Sequence, residues 1–307
     1  MSDATIRPDV RTGNSARVWR ARLGRIGPTL VILACAVFFV TPMLSMARFA
    51  LQNVPVIKLG WSTLDDKWSL DALTKAFDEP EFWPTLRLSL KLAAGTVIAS
   101  LALLVPTALY VRLRLPKARP IVEFLTVLPY IVPPIALVAG VTAFFRPHAK
   151  WFINSDYSLI PFYVVMALPF TYRSIDAGIR SIDVRTLVDA SRSLGANWPA
   201  TFFRVLLPNL RTSLISASFL TAAVVLGEFA IASNLAKTTF PVFSFQYFGE
   251  KAQGGIALAL LTLVGSTALL GLLTFLTRPR RMWKRAPEAT GVVSVPGAMA
   301  DLPKDHA

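Results

Sequence analysis

What most constrains this chain is a succession of long, nearly uncharged apolar runs. A hydrocarbon layer is about 30 Å thick and takes about 20 helical residues to cross. The runs at 28–46, 86–111, 121–145, 158–174, 213–235 and 256–277 are of that order. Of the 307 residues 54% are hydrophobic, and mean hydropathy is +0.53. That is more apolar surface than a soluble core of this size needs. In lipid only helices and closed barrels satisfy their own backbone, and ten-residue strands with alternating polar faces are absent. The expected fold is therefore all-α, a polytopic membrane protein with six transmembrane helices over 28–277.

A formal charge of +14 and a pI near 10.4 would suit a nucleic-acid binder. The basic residues, however, sit at the ends of the apolar runs, as membrane topology requires. Arg7 to Arg25 precede the first run, and Arg112, Arg114, Lys117 and Arg119 follow the second. Arg173 to Arg211 follow the fourth and Arg278 to Lys304 the sixth, whereas the opposite loops are sparsely basic. The positive-inside rule places both termini in the cytoplasm. Residues 1–27 and 278–307 are then cytoplasmic tails, the second polar, containing Gly and Pro, and expected to be disordered. Ser45-Met46-Ala47 resembles a signal-peptidase site, but the basic region and apolar run before it are longer than a usual signal, which favours an uncleaved first span. Cys35 stands alone, so no redox or metal role follows from it.

The longest outside loop, 47–84, interleaves Trp61, Trp68 and Trp83 with acidic residues, and Ser69 to Phe77 reads as a short amphipathic helix. Its aromatics either anchor an interfacial belt or form a docking surface for a soluble partner. Pro129, Pro133 and Pro134 interrupt the third run. Such prolines are either tolerated or mark a broken helix along a path.

Between the fourth and fifth runs lies 176–212, too long for a turn. Val184, Leu187, Val188, Ser191 and Leu194 recur on one helical face, with Asp183, Arg185, Asp189 and Arg192 off it. Gly195 follows as a natural helix C-cap. Asn197 then offers an N-cap and Pro199 fits a first turn. The second helix is expected to stop near Pro208. The spacing predicts a helix–turn–helix outside the bilayer, with small residues at its corner.

These residues carry a resemblance. Asp189-Ala190-Ser191, Gly195 after three residues, then Val205-x-Leu207-Pro208 after nine more is similar to the EAA loop of binding-protein-dependent ABC importer permeases. Asp stands for Glu, Ser for the second Ala and Val for Ile; every spacing agrees. The C-terminal half looks most like spermidine/putrescine-type permeases. The resemblance implies a cytoplasmic coupling helix between spans 4 and 5, docked in a groove of an ATP-binding partner subunit, with Asp189 pairing there. The residues equally allow Asp189 to pair with Arg185 or Arg192 on its own helix. It further implies a second permease subunit (a homologue or another copy), an extracytoplasmic substrate-binding protein, the bacterial inner membrane, and no cofactor. The cargo implied is a polyamine or similar small solute, with iron, phosphonate and sulfate as alternatives within the same family.

Charged groups inside spans default to functional suspicion. Glu228 is an acid within the fifth run, able to attract a cation, stabilise a gate, or hydrogen-bond a neighbouring helix. Tyr130, beside the interrupted third run, is a candidate pore-lining residue; Ser218, Thr221 and Asn234 read more readily as helix–helix glue. An ion-coupled secondary transporter is the main rival, but it would show several charged midplane residues and internal repeats. The sequence has no phosphate-binding loop, so ATP hydrolysis falls to a partner, and no catalytic or metal-ligating constellation is expected.

Overall fold

A computed structural model describes residues 13–52 and 68–277 of the chain. Residues 1–12, the C-terminal tail at 278–307, and Trp61 of the outer loop lie outside the described residues. The elements in order are α1 (Gly13–Leu51), α2 (Asp71–Phe77), α3 (Phe82–Arg114), α4 (Arg119–Ile131), α5 (Pro134–His148), α6 (Lys150–Asn154) and α7 (Leu159–Ser181). There follow α8 (Val184–Ser193), α9 (Trp198–Ala200), a π-helical turn (Thr201–Leu206) and α10 (Leu207–Asn209). The chain closes with α11 (Arg211–Leu226), α12 (Ala230–Asn234), α13 (Phe240–Glu250) and α14 (Ala252–Thr277). The described residues are helical or loop throughout, with a single isolated bridge between Gln52 and Trp68.

The helices match the sequence expectation in kind and depart from it in their breaks. Residues 13–27, expected as part of a tail, form the first turns of the 39-residue α1. They carry Ala, Arg and Leu, good helix formers, with no proline before Pro28. The third run is not one straight span: α4 and α5 meet at 90°. Val132 and Pro133 are extended there (ψ 124° and 137°). A residue before proline is pushed out of the α region, and Pro134 then serves as the first residue of α5. The fifth run also fails to stay helical through Leu235. Helix α11 is capped by Gly227 after Leu226, and α12 restarts at Ala230. Three helical stretches are long and apolar enough to cross a membrane singly, 27–51, 82–114 and 156–181, or up to five if each bent pair counts as one. The 26-residue α14 is about 39 Å long.

Helices α3, α7 and α11 pack on one another and form the centre of the bundle. Thr171 on α7 and Thr221 on α11 share a buried hydroxyl–hydroxyl bond of 2.7 Å, and Ser174 Oγ donates to the Ser213 carbonyl at 3.2 Å. Gly178 permits this closeness, because a Cβ there would lie 2.3 Å from the Ser213 Cβ. Small residues and hydroxyls are what bring helices together where lipid removes the hydrophobic drive between them. Helix α1 packs instead against α14, and its apolar side chains, Phe38 and Phe39 among them, are exposed. At one end of the bundle Phe82, Phe243, Tyr247 and Leu258 enclose Ala76 of α2, the short helix expected after Ser69. Lys251 pairs with Glu79 at that end.

Candidate functional site

The segment expected as a helix–turn–helix folds as one, at the opposite end of the bundle. Asp183 caps α8: its Oδ1 accepts from the Thr186 amide (3.3 Å) and its Oδ2 from the Thr186 hydroxyl (2.7 Å). Those bonds to Thr186 hold the Asp183 carboxyl below the usual carboxylate range. The helix ends in a Schellman arrangement. The Gly195 amide donates to the Arg192 carbonyl (2.9 Å) and the Ala196 amide to the Ser191 carbonyl (3.0 Å). This requires a left-handed residue, and Gly195 supplies it at φ +81°. Asn197 Oδ1 then accepts from the Ala200 amide (2.9 Å) and starts the return helix.

The return helix does not stop before Pro208. A π turn at Thr201–Leu206 precedes it, and α10 carries the helix on to Asn209. Proline would press its ring on the carbonyl four residues back in a regular α-helix, and a wider turn just before it relieves that contact. The chain then bends by 75° into α11.

The root of this hairpin is buried and its corner is bare. Val184, Val188, Leu206 and Leu210 enter one cluster with Leu104 and Leu109 of α3, Tyr172 and Ile179 of α7, and Ala217 of α11. Ser191 is buried too, and its hydroxyl pairs with that of Thr201 at 2.9 Å. Its place is inside the hairpin, clasping the two helices. Leu194, expected on one face with the buried Val184 and Val188, is 89% exposed, because the helix has ended and the chain is turning away. Ala190, Ser191, Gly195 and Val205 line a depression of about 560 Å³ at the corner, with Leu187 and Leu194. Leu207 packs against the buried cluster, and Pro208 is exposed at the bend. Asp189 is exposed and faces a neighbouring cleft. It makes no ion pair within 4.0 Å among the described residues, so neither Arg185 nor Arg192 engages it.

The two proposed path residues lie elsewhere. Glu228 is not within a helix: it sits in the break after α11, where its Oε1 accepts from the Ile231 amide (2.7 Å) and its Oε2 from the Ala232 amide (3.3 Å). It therefore caps α12, a role the sequence reading did not assign. The buried Tyr163 hydroxyl lies near that carboxylate. Tyr130 is half-exposed at the end of α4, edge-on to Phe170 of α7 with ring centroids 5.7 Å apart.

Asp176 was missed by the sequence reading, which placed it in the loop. Helix α7 continues through it, and its buried Oδ2 accepts from Arg119 Nη2 (2.9 Å) and pairs with Arg180 (3.1 Å). The clamp joins the start of α4 to α7 beside the hairpin. The four-residue spacing of Asp176 and Arg180, which fits a pair on one helix face, was the available signal.

A bundle of long apolar helices with a hairpin rooted among the central ones has the architecture of a multi-pass membrane protein. The chain belongs to the family described as binding-protein-dependent transport system inner membrane component, whose model matches residues 95–282. It is thus a multi-pass bacterial inner-membrane permease subunit of an ABC importer. It is 25% identical over 204 residues to the spermidine/putrescine transport system permease protein PotB of Escherichia coli (strain K12), covering 59% of this chain and 73% of that one. A shorter match, 32% over 76 residues, links it to the methionine import system permease protein MetP of Bacillus subtilis (strain 168), with 25% of this chain and 34% of that protein covered. In fold it resembles a chain from the crystal structure of a bacterial ABC transporter involved in the import of the acidic polysaccharide alginate. The TM-score is 0.65 at 13% identity, over 83% of this chain and 96% of that one.

Proposed function

We propose that this chain forms a translocation path with a second permease subunit, homologous or identical, and couples it to a partner ATPase through the hairpin at 183–209. The observation that carries this reading is the contrast within the hairpin. Its corner offers Ala190, Leu194 and Gly195 to the outside around an open depression, while its root shares a core with α3, α7 and α11. A bare apolar corner on a buried base is costly in water and economical under a docked protein. The basic end of the bundle, where the hairpin lies, then faces the cytoplasm, α14 supplies the sixth span, and the partner hydrolyses ATP. Asp189, free of its own helix, is the group available to a basic residue of that partner.

The cargo we infer is a polyamine or a similar small cationic solute, delivered by an extracytoplasmic binding protein. The likeness to spermidine/putrescine permeases supports it, as does a carboxylate, Glu228, at the break between α11 and α12. Glu228 and Tyr130 are the path residues of this reading. Ala190→Cys in a Cys35→Ser background tests the coupling: a thiol-attached benzophenone there should join it to the ATPase on illumination of the purified complex. Absence of that product, with the complex intact, would sink the docking. Uptake by the reconstituted complex of polyamines against ferric iron, phosphonate and sulfate tests the cargo, and transport of any of the last three instead would refute it.

A further inference from the structure

Two cavities meet where the hairpin lies against the end of α3, and both are walled by Tyr110 and Trp198. The first, about 540 Å³, is lined by Arg114, Arg185 and Arg192, with one carboxylate, Asp189, opposing them. None of the three arginines makes an ion pair among the described residues. The second, about 590 Å³, runs along Pro106 and Leu109 of α3 to Phe202 and Phe203 of the return helix. Its one further polar side chain, Thr107, is already satisfied, its hydroxyl donating to the Leu103 carbonyl at 2.6 Å. The combined cleft is basic at one end and apolar at the other.

We propose that this cleft binds an anionic phospholipid of the adjoining leaflet, its phosphate among Arg114, Arg185 and Arg192 and an acyl chain along Phe202 and Phe203. Guanidinium forks match phosphate oxygens and are weakly hydrated, and the leaflet beside a basic bundle end is the one rich in anionic lipid. An acidic segment of a soluble partner would satisfy the arginines but leave Phe203, 64% exposed, without a cover. An amphiphile fills both halves. Because Tyr110 and Trp198 belong to a spanning helix and to the hairpin respectively, the lipid would bridge them. The inference rests on the proposed orientation, but its lipid readout needs no ATPase.

The full-length chain, purified alone, is exchanged into mixed vesicles of phosphatidylglycerol and phosphatidylcholine, and the lipids it retains are counted by native mass spectrometry. The wild type should keep phosphatidylglycerol in preference to phosphatidylcholine. Replacing Arg114, Arg185 and Arg192 together by Gln should lower that preference by about fivefold per arginine, while replacing all three by Lys should preserve most of it. Phe203→Asp should weaken retention with every arginine in place, and inorganic phosphate should compete poorly. Equal retention by the Gln variant overturns the proposal. So does displacement by inorganic phosphate as effective as by lipid, which would mean a simple anion site. A Gln variant that retains phosphatidylglycerol but no longer co-purifies with the ATPase also overturns it, and assigns the arginines to the partner.

Discussion

Gly195 separates the conformational demand of the hairpin from the demand of whatever docks on it. At φ +81° any other residue is strained, by roughly 1–2 kcal/mol for an L side chain in the left-handed region. A Cβ built there meets nothing within 4 Å. Within the chain, therefore, Gly195→Ala and Gly195→Arg cost the same backbone strain, and the Cβ of neither creates a clash. Thermal unfolding of the isolated chain should shift by the same small amount for both. With the ATPase present the two should diverge. The Arg side chain must occupy the space a docked surface fills, and a loss of only 1.4 kcal/mol beyond the Ala variant is already tenfold in affinity. We expect Gly195→Arg to lose ATPase co-purification and uptake while Gly195→Ala keeps most of both, each measured on the complex in detergent and in vesicles. Equal behaviour of the two variants would falsify the docking argument, since it would show that the corner faces only water.

Gly178→Ala should destabilise the chain by about 1–3 kcal/mol through overpacking, since the new methyl meets the Ser213 Cβ at 2.3 Å and only a shift of α7 against α11 relieves it; a lowered melting temperature in one lipid composition checks this. Ser191→Ala should cost about 1–3 kcal/mol by orphaning the buried Thr201 hydroxyl, and Thr201→Val less, because Ser191 still donates to the Val188 carbonyl at 2.9 Å. The double variant should cost less than their sum, and strict additivity in a double-mutant cycle would mean that the pair is not coupled. Asp183 has its carboxyl pKa depressed by Thr186. Its stabilisation of α8 is therefore present above the unfolded-state carboxylate pKa and fades as pH falls through the folded one. The hydrogen-exchange protection factors in the first turn of α8 should fall over that acid range in the wild type and change less with pH in Asp183→Ala.

The hairpin was legible because its signals are local. Asp183, Gly195, Asn197 and Pro199 each act within a few residues, so the caps and the left-handed corner follow from residue type alone. The breaks at Val132–Pro133 and Gly227–Phe229 were less so. Apolar composition continues across both, and hydropathy does not distinguish a straight span from one bent by 90°. Pro133 and Pro134 did mark the first break as one of two readings, whereas the second depends on Glu228 turning back to cap α12. Ser191 shows the limit of a motif. Spacing puts it on one face with Val184 and Val188, and it does face inward; its bond to Thr201, ten residues on, is what spacing alone does not show.

That inward clasp bears on how a push at the corner would reach the spans. Helix α8 is held to the return helix by the Ser191–Thr201 pair, and Val184, Val188, Leu206 and Leu210 are buried with residues of α3, α7 and α11. Each such side chain contributes about 1.5–3 kcal/mol by its burial. Moving the hairpin alone would expose several of them at once, a cost comparable to the whole stability of many domains. Moving it together with the three central helices exposes none of them. Asp176 extends the same unit to the start of α4 through Arg119, but α4 ends at the 90° break before α5. Displacement of the corner is thus cheapest as a rigid motion of the hairpin, α3, α7, α11 and α4, with strain falling at Val132–Pro133 and at Gly227–Glu228. Those two joints lie at the ends of α4 and α11, beside Tyr130 and Glu228, the two residues proposed for the path.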